Sequence, residues 1–407
     1  MKKISLLGLG IFAAFAVSAQ ESLVKDVERE LKASSPDYAK ALKDIQPALS
    51  DASTSGTMMP WYLAGKAGIG VYDNAYIQET MGNALNPEQK IAAGKALIEG
   101  CNAYFKALQL DSIPDEKGKI KPKKSKEILK TLASEYPQLR NAGIFMFDAH
   151  DYDGAYDAWE LYVNLPSNPL LGKQAPQADP DTIVGQIMFY QAVAMLSVDK
   201  NQKALDKLQQ VIPTGFSSVD VYRYGVESAR RVNDSIAMLD FAQKGYDKFG
   251  TEDISFIGQL INAKLSANDY PACYELVNKA LEVTSEDNAV MKSQLYDILG
   301  YILEQDNKLD EAEANFDKAI TLDPSFAKGY FDKGRIIYNK ALKLDEEGNG
   351  EDRNAEVVPD LLKAAELFEK AYMLDENNMR QIPNILYRLY YRLGAGYEDK
   401  TDYWKGL

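Results

Sequence analysis

The stretch "LDEAEANFDKAITLDPSFAKGY", from Leu309 to Tyr330, decides the fold of this chain. Ala312 and Ala319 flank Phe316 at helical spacing, so the three side chains share one face of a helix. Pro324 ends that helix because proline cannot continue the backbone hydrogen bonding. Two antiparallel helices approach closely only where one offers small side chains and the other fills the gap. The stretch therefore predicts the second helix of a closely packed pair.

The preceding stretch, "QLYDILGYILEQDNK", supplies the first helix of the pair. Tyr296, Leu299, Gly300 and Leu303 form its apolar stripe, and Gly300 permits the close approach. Together the two stretches resemble a tetratricopeptide repeat (TPR), a helix pair of about 34 residues. The resemblance implies an all-α, right-handed α-solenoid of antiparallel helix pairs. Each pair is too short to bury its apolar face alone, so neighbouring pairs stack.

The same second-helix pattern recurs along the chain with varying fidelity. The positions that match its small residue are Ala41, Gly100, Ala155, Ala204, Ala237, Cys273, Ala312 and Ala364. Their spacing approaches one repeat length between Ala204 and Ala312, and is wider where insertions such as the Pro-rich segment 165–181 intervene. We therefore predict degenerate helical repeats at 20–125, divergent TPR-like repeats at 126–250, and clear repeats with a C-terminal cap at 251–407.

Residues 1–19 have the pattern of a secretory signal peptide. Lys2 and Lys3 precede a short apolar run, and the small residues Val17 and Ala19 suit a signal peptidase. A membrane anchor is the alternative, but the apolar run is too short to span a bilayer. We therefore expect cleavage after Ala19, no transmembrane span in the mature chain, and a periplasmic location, with peripheral outer-membrane association as a further option.

The formal net charge of −14 argues against nucleic acid and anionic lipid as partners, since both bind basic surfaces. The one basic run, Glu116 to Lys126, contains Pro and Gly and is interpreted as a solvated loop. The only cysteines, Cys101 and Cys273, are too few for a metal cluster, although a single disulfide stays open. Cys273 occupies a small-residue position, so we expect a buried side chain.

No catalytic or cofactor motif is evident in the sequence. His150, the single histidine, lies in "DAHDYDGA" at a turn between two helices, so we interpret it as a solvated turn residue and not as a catalytic base. A hydrolase with paired carboxylates has no supporting constellation. We expect no cofactor and no enzymatic activity.

One acidic insertion has the spacing of a calcium loop. Asp345, Glu347, Asn349 and Glu356 stand at ligand positions between two helices. Glu347 replaces the usual Asp or Asn, however, and Arg353 stands where an oxygen ligand is common. We favour a charged, solvated hairpin extension.

The resemblance also implies a concave face lined by the first helix of each pair. On that face we expect Asp297, Tyr301, Phe331, Arg335 and Tyr338, a mixture that suits an extended peptide, with Arg335 as a carboxylate contact. Some members of the family hold a partner's terminal carboxylate with Lys, Asn and Arg residues. Asp297 and Tyr301 stand where such residues would be needed, so we do not carry that activity over.

Two functions follow from these observations. The first is a non-enzymatic exported scaffold that binds a protein or peptide of the bacterial cell envelope. The alternative is a carbohydrate-binding protein on the same scaffold, with tryptophan rings as sugar platforms. Of the three tryptophans, we expect Trp159 in the core, which leaves Trp61 and Trp404 for that role.

Overall fold

The chain is all-helical in the part that the structure describes. This computed structural model describes residues 20–250, 253–347 and 357–407, and no β-strand occurs among them. The chain divides into two compact units, one extending to Met238 and the other running from Leu239 to Leu407. In both units, helices that follow each other in sequence pack side by side across short turns. The predicted fold class of stacked helix pairs is therefore confirmed.

The first unit pairs helices of unequal length, and α3 packs on α4, α6 on α7, and α8 on α9. Its helices are α1 (20–30), α2 (Tyr38–Ser50), α3 (Met58–Thr80), α4 (Pro87–Asp111), α5 (Ser125–Ser134), α6 (Tyr136–Asp148), α7 (Tyr152–Asn164), α8 (Asp181–Leu196), α9 (Asn201–Val211) and α10 (Val219–Arg231). Helix α11 (Ser235–Phe249) contains the point at which the two units divide.

The second unit pairs α12 with α13, α14 with α15, α16 with α17, and α18 with α19. These helices are α12 (Ile254–Ser266), α13 (Tyr270–Val283), α14 (Ala289–Gln305), α15 (Leu309–Leu322), α16 (Ala327–Glu347), α17 (Val358–Leu374), α18 (Ile382–Leu393) and α19 (Glu398–Lys405). The predicted boundaries at residues 125 and 250 separate stretches that match the repeat pattern more or less closely, and they stay predictions.

The packing of α14 on α15 explains the spacing of small and large residues between Leu309 and Tyr330. Ala312, Phe316 and Ala319 are completely buried. A Cβ on Gly300 would lie 2.6 Å from the ring of Phe316, so the ring occupies the space that the glycine leaves. The same arrangement places Trp159 against Gly143 in the first unit. The small-against-large pattern thus positions paired helices in both units.

Helices α3 and α4 approach more closely still, through glycine on both sides. A Cβ on Gly68 would lie 2.5 Å from the backbone oxygen of Ala96 and 2.9 Å from the Cα of Gly100. Here the backbone of one helix fills the gap that the other provides. Tyr104 covers Gly65 one turn away, in the way that Phe316 covers Gly300.

The turn between the two helices of a pair repeats in both units. A residue with φ between 56° and 64° precedes the second helix at His150, Asp199, Asn233, Asn268 and Asn307. Histidine, Asn and Asp are the non-glycine residues that most readily adopt this left-handed conformation. The N–H that follows each of them donates to a carbonyl of the preceding helix's last turn, as in a Schellman motif, at 2.8 to 2.9 Å. His150 is therefore an exposed turn residue, as predicted.

The basic run forms a loop that closes on one buried carboxylate. Asp111, at the end of α4, accepts hydrogen bonds from the backbone N–H groups of Lys123, Lys124 and Ser125 at 2.8 to 3.0 Å. It thereby satisfies free donors at the start of α5. Most lysines of the loop are exposed, so the prediction of a solvated connection is confirmed.

Both cysteines are buried free thiols. Cys273 lies in the core cluster formed by α12, α13 and α14, where a small side chain was expected. Trp159, also expected in the core, is 2% exposed. Among the described residues, no helix combines the length and apolar character that crossing a bilayer requires.

Candidate partner-binding groove

A half-open cavity of about 470 Å³ lies along the first helices α12, α14 and α16. Its lining comprises Asn262, Leu265, Gln294, Asp297, Ile298, Tyr301, Phe326 and Lys328. The four residues from α14 share one face of that helix because they are spaced three and four positions apart. Gly300, on an adjacent face of α14, packs against Phe316 of α15. Packing of the pair therefore turns this polar and aromatic row outward; we call it the groove.

A buried carboxylate and an ammonium group form the charged floor of the groove. Asp297 is 2% exposed and pairs with Nζ of Lys328, which also lies 2.6 Å from Oδ2 of Asp332. Asp332 is buried as well, whereas the Lys328 side chain is about half exposed. Oδ1 of Asp297 is buried and has no hydrogen-bond partner among the described residues. One strong acceptor in the groove is thus left unsatisfied, which costs free energy.

The protonation of this cluster reflects competition between burial and charge. Burial raises the pKa of Asp297 to about 6, and the charge of Asp332 adds to the rise, while Lys328 opposes it. Burial lowers the pKa of Lys328, but the two carboxylates outweigh burial and raise it. The ammonium therefore stays charged at neutral pH, and it compensates two buried acids at once.

Arg335 is held by internal carboxylates. Its guanidinium forms a two-point ion pair with Glu304, one branch of which measures 2.7 Å, and lies 3.1 Å from Oδ1 of Asp332. Burial opposes ionisation, yet Glu304 and Asp332 raise the pKa of Arg335 further. Arg335 was predicted to contact a partner's carboxylate. In the structure its guanidinium N–H groups already donate to Glu304 and Asp332.

Phe331 and Tyr338 pack against the interior. Their rings lie 5.7 Å and 6.2 Å from the ring of Phe368, and both side chains are half-buried beside the core cluster of α16, α17 and α18. Of the five predicted groove residues, the structure therefore brings Asp297 and Tyr301 into the cavity. Phe331, Arg335 and Tyr338 contribute instead to contacts between helices.

Most of the groove lining was not predicted from the sequence. The missed residues are Asn262 and Leu265 on α12, Gln294 and Ile298 on α14, and Phe326 and Lys328 around the start of α16, together with Asp332, which pairs with Lys328. A signal existed in the repeat spacing, since the ion pairs of Asp297 with Lys328 and of Glu304 with Arg335 each join residues 31 positions apart. Acid–base pairs at about one repeat length could have been sought.

The remaining sequence candidates have other surroundings. Asp345 accepts a hydrogen bond of 2.6 Å from Nε of Arg392, while Asn349 and Glu356 lie outside the described residues, as does the side chain of Glu347. Within the described ranges, no group of three His, Cys, Asp or Glu side chains could hold a metal ion. The groove side chains can form hydrogen bonds, ion pairs and ring contacts with a bound partner.

Comparison with known proteins identifies one repeat in the chain. Residues 293–326 match the family model described as "Tetratricopeptide repeat". This segment contains α15 and most of α14, with Asp297 and Tyr301. No curated protein sequence matches the chain.

Several solved structures are similar to parts of the chain at low identity. The C-terminal part of a TPR repeat-containing protein from Cytophaga hutchinsonii is 14% identical, with a TM-score of 0.41, 65% of this chain covered and 92% of that one. PilF of Pseudomonas aeruginosa is 12% identical (TM-score 0.39, 56% and 90% covered). YrrB, a TPR protein described as having an unusual peptide-binding site, is 17% identical (TM-score 0.36, 47% and 87% covered).

Proposed function

We propose that this protein is an exported, non-enzymatic scaffold whose groove binds an extended segment of another cell-envelope protein. The supporting observation is the open cavity of about 470 Å³ along three first helices, with a buried acceptor, Oδ1 of Asp297, that has no partner among the described residues. A scaffold of stacked helix pairs allows such a face to vary without disturbing the packing.

The groove chemistry matches the needs of an extended peptide. A peptide in this conformation presents N–H and C=O groups that require partners. The exposed amides of Asn262 and Gln294 can both donate and accept, and Asp297 can accept an N–H. Tyr301 and Phe326 are half-buried rings that can contact an apolar side chain. The expected ligand is therefore a short extended segment with one apolar residue, held mainly through its backbone.

Recognition of a terminal carboxylate by Arg335 is not part of this proposal. The guanidinium bonds to Glu304 and Asp332, and a partner carboxylate would have to compete with both. Lys328 is engaged in the same way by Asp297 and Asp332. Specificity in this groove then depends on backbone hydrogen bonds and on the apolar side chain.

Capture followed by identification of the bound segment tests the function. The mature chain is immobilised, exposed to the membrane fraction of its native cell, and crosslinked peptides are mapped by mass spectrometry. A synthetic copy of the mapped segment is then titrated against wild type, Tyr301→Ala and Tyr274→Ala. Tyr274 is exposed on α13, outside the groove, and serves as the matched control. Equal affinity of all three proteins would remove the groove from the proposal.

Export is proposed from residues 1–19, which lie outside the described residues. The observations in its favour are the basic start, the short apolar run and the small residues at the expected cleavage site. Cell fractionation with amino-terminal sequencing tests it, and the expected result is a periplasmic chain that begins at Gln20. A cytoplasmic chain with an intact start would contradict the location but leave the groove proposal untouched.

The carbohydrate alternative has lost part of its support. Trp404 is 6% exposed and offers no open ring face, while Trp61 is half-buried and donates its Nε1–H to the backbone oxygen of Ser55 at 2.8 Å. A sugar platform needs an accessible ring. The observations therefore favour a protein segment over a glycan.

A further inference from the structure

A second cavity, of about 500 Å³, lies between α17 and α19 at the C-terminal helix pair. It is lined by Glu369, Tyr372, Met373, Glu376, Asp399, Lys400, Tyr403 and Trp404. None of these residues lines the groove, so any ligand here would bind independently of the proposed function. We call this cavity the cap pocket.

Two tyrosine rings in the cap pocket stand perpendicular to the ring of Trp404. The rings of Tyr372 and Tyr403 lie 5.5 Å and 5.0 Å from that of Trp404, with interplanar angles of 84° and 82°. Trp404 is buried, Tyr372 is half-buried, and Tyr403 is 60% exposed. Trp404 is thus the inner ring, and both tyrosines stand against it. Ring faces carry negative electrostatic potential, and a cation gains most where several rings converge.

The charges around these rings are unbalanced toward the negative side. Nζ of Lys400 forms an ion pair with Oε1 of Glu369 at 2.5 Å and lies 5.2 Å from the ring of Tyr390. Two carboxylates of the lining therefore have no cation from within the lining to balance them. Glu376 accepts the hydroxyl hydrogen of Tyr372 at 3.0 Å, and Asp399 is exposed. Both could approach a positive group from a ligand.

One buried polar atom in the lining has no partner. Trp404 Nε1 is buried and makes no hydrogen bond among the described residues. An unsatisfied buried donor costs free energy, so a ligand that brings an acceptor would recover it. A peptide carbonyl is such an acceptor.

We propose that the cap pocket binds a lysine or arginine side chain of a peptide, with the accessible surfaces of the two tyrosine rings and the two carboxylates holding the cation. The perpendicular rings and the unbalanced carboxylates select a positive group, and the N–H of Trp404 pairs with a backbone carbonyl of the same segment. A neutral sugar would use the rings but would leave both carboxylates without a charge partner.

The test compares charged and neutral side chains of equal shape. Fluorescein-labelled pentapeptides with a central arginine, and the same peptides with citrulline, are titrated against the full chain by fluorescence polarisation. Lysine and norleucine form the second pair of probes. We expect the charged member of each pair to bind about tenfold more tightly, with a preference that shrinks as salt is raised.

Variants of the pocket supply the matched controls. Tyr403→Ala and Asp399→Asn should each weaken the arginine peptide by about three- to tenfold. Asp402→Asn removes a carboxylate from the same helix outside the pocket lining, and Tyr391→Ala removes an exposed ring from α18. Both controls should leave the affinity within about twofold of wild type. Trp404→Phe, which keeps a ring but loses the N–H, should weaken the peptide; because the smaller ring also leaves a cavity among buried residues, the melting temperature of this variant is measured alongside.

Three results would overturn the inference. The first is equal binding of the arginine and citrulline peptides, and the second is an equal loss in Asp399→Asn and Asp402→Asn. The third is Tyr403-dependent binding of a neutral oligosaccharide with no binding of the basic peptides. Because Tyr301→Ala alters the groove and not this pocket, it should leave the arginine peptide unaffected, which separates failure here from failure of the proposed function.

Discussion

Two helix pairs, one in each unit, solve one packing problem in two ways. In the second unit, the ring of Phe316 fills the space over Gly300, and this segment matches the TPR family model. In the first unit, Gly68 and Gly100 bring the backbones of α3 and α4 together, and the family model does not match there. The close approach of paired helices is thus common to both units, whereas the residue that fills the gap varies.

The units also differ in how they hold a buried carboxylate. Asp297 in the second unit faces Lys328. Glu135 in the first unit is 7% exposed, its Oε2 has no hydrogen-bond partner among the described residues, and its neighbouring charge is the like charge of Asp73. Burial, with Asp73 adding to it, raises the pKa of Glu135 to about 7. The second unit balances the charge of its buried carboxylate with a lysine. In the first unit the buried carboxyl group keeps its proton up to about pH 7.

The largest expected effect comes from removing a filler. Phe316→Ala should lower the free energy of unfolding by about 3–5 kcal/mol, because a completely buried ring leaves a cavity over Gly300. Trp159→Ala should cost a similar amount in the first unit, where the ring covers Gly143. Urea denaturation measures both, and hydrogen exchange assigns each loss to its unit. A loss below about 1 kcal/mol for either would show that the ring is not the filler.

The second effect depends on pH. Folded Glu135 keeps its proton up to about pH 7, while the unfolded chain releases it near its ordinary pKa of about 4.3. The folded state binds more protons across this window, so stability falls as the pH rises through it. Glu135→Gln removes that loss and should gain about 2–3 kcal/mol relative to wild type between about pH 5 and pH 8. Melting temperatures measured across this range provide the check.

Asp297→Asn is the matched variant in the second unit. The pKa of Asp297 rises only to about 6, so any gain in stability over wild type should stop increasing at a lower pH than for Glu135→Gln. The substitution also weakens the site of Lys328, which offsets the gain at neutral pH. Identical pH profiles for the two variants would refute the contrast between compensated and uncompensated acids.

The third effect tests the glycines. Gly68→Ala should destabilise by about 1–3 kcal/mol, because the added methyl group meets the backbone of α4, which cannot rotate away. Gly300→Ala should cost less, since the ring of Phe316 can shift. Gly258→Ala in α12 is the control; its Cβ meets nothing within 4 Å, so the protein should gain about 0.5–1 kcal/mol. Thermal unfolding ranks the three, and a ranking with Gly300→Ala worst would reverse the comparison.

The smallest expected loss of folding free energy comes from removing either of two arginines that pair with a glutamate. Arg335 links α16 to Glu304 on α14 and is 29% exposed, so Arg335→Met should cost about 1–2 kcal/mol. Arg230 pairs with Glu227 three residues away on the surface of α10 and is 61% exposed, so Arg230→Met should cost about 0–1 kcal/mol. High salt should widen the difference between the two costs, because it weakens mainly the exposed pair. Equal costs by urea denaturation would argue that Arg335 has no special role between the helices.

One departure from the repeat pattern shows where sequence reasoning stops. Tyr162 stands where a small residue is usual, and the structure places its ring 4.6 Å from that of Tyr136. Its hydroxyl donates to Asp179, which belongs to the Pro-rich insertion 165–181. The insertion thus supplies the partner that the large side chain requires. Nothing near Tyr162 in sequence indicates this contact.

The sequence by itself determined the helix pairs, the small and large residues between them and the turns, because these depend on side chains within one repeat. Gly300, Phe316, Cys273 and His150 all lie where the pattern placed them. Tertiary structure decided how polar side chains are shared between repeats. Arg335 is taken by Glu304, and Trp404 is buried between helices instead of exposed. Such pairing depends on charges and volumes about one repeat away, and a helical period contains no information at that distance.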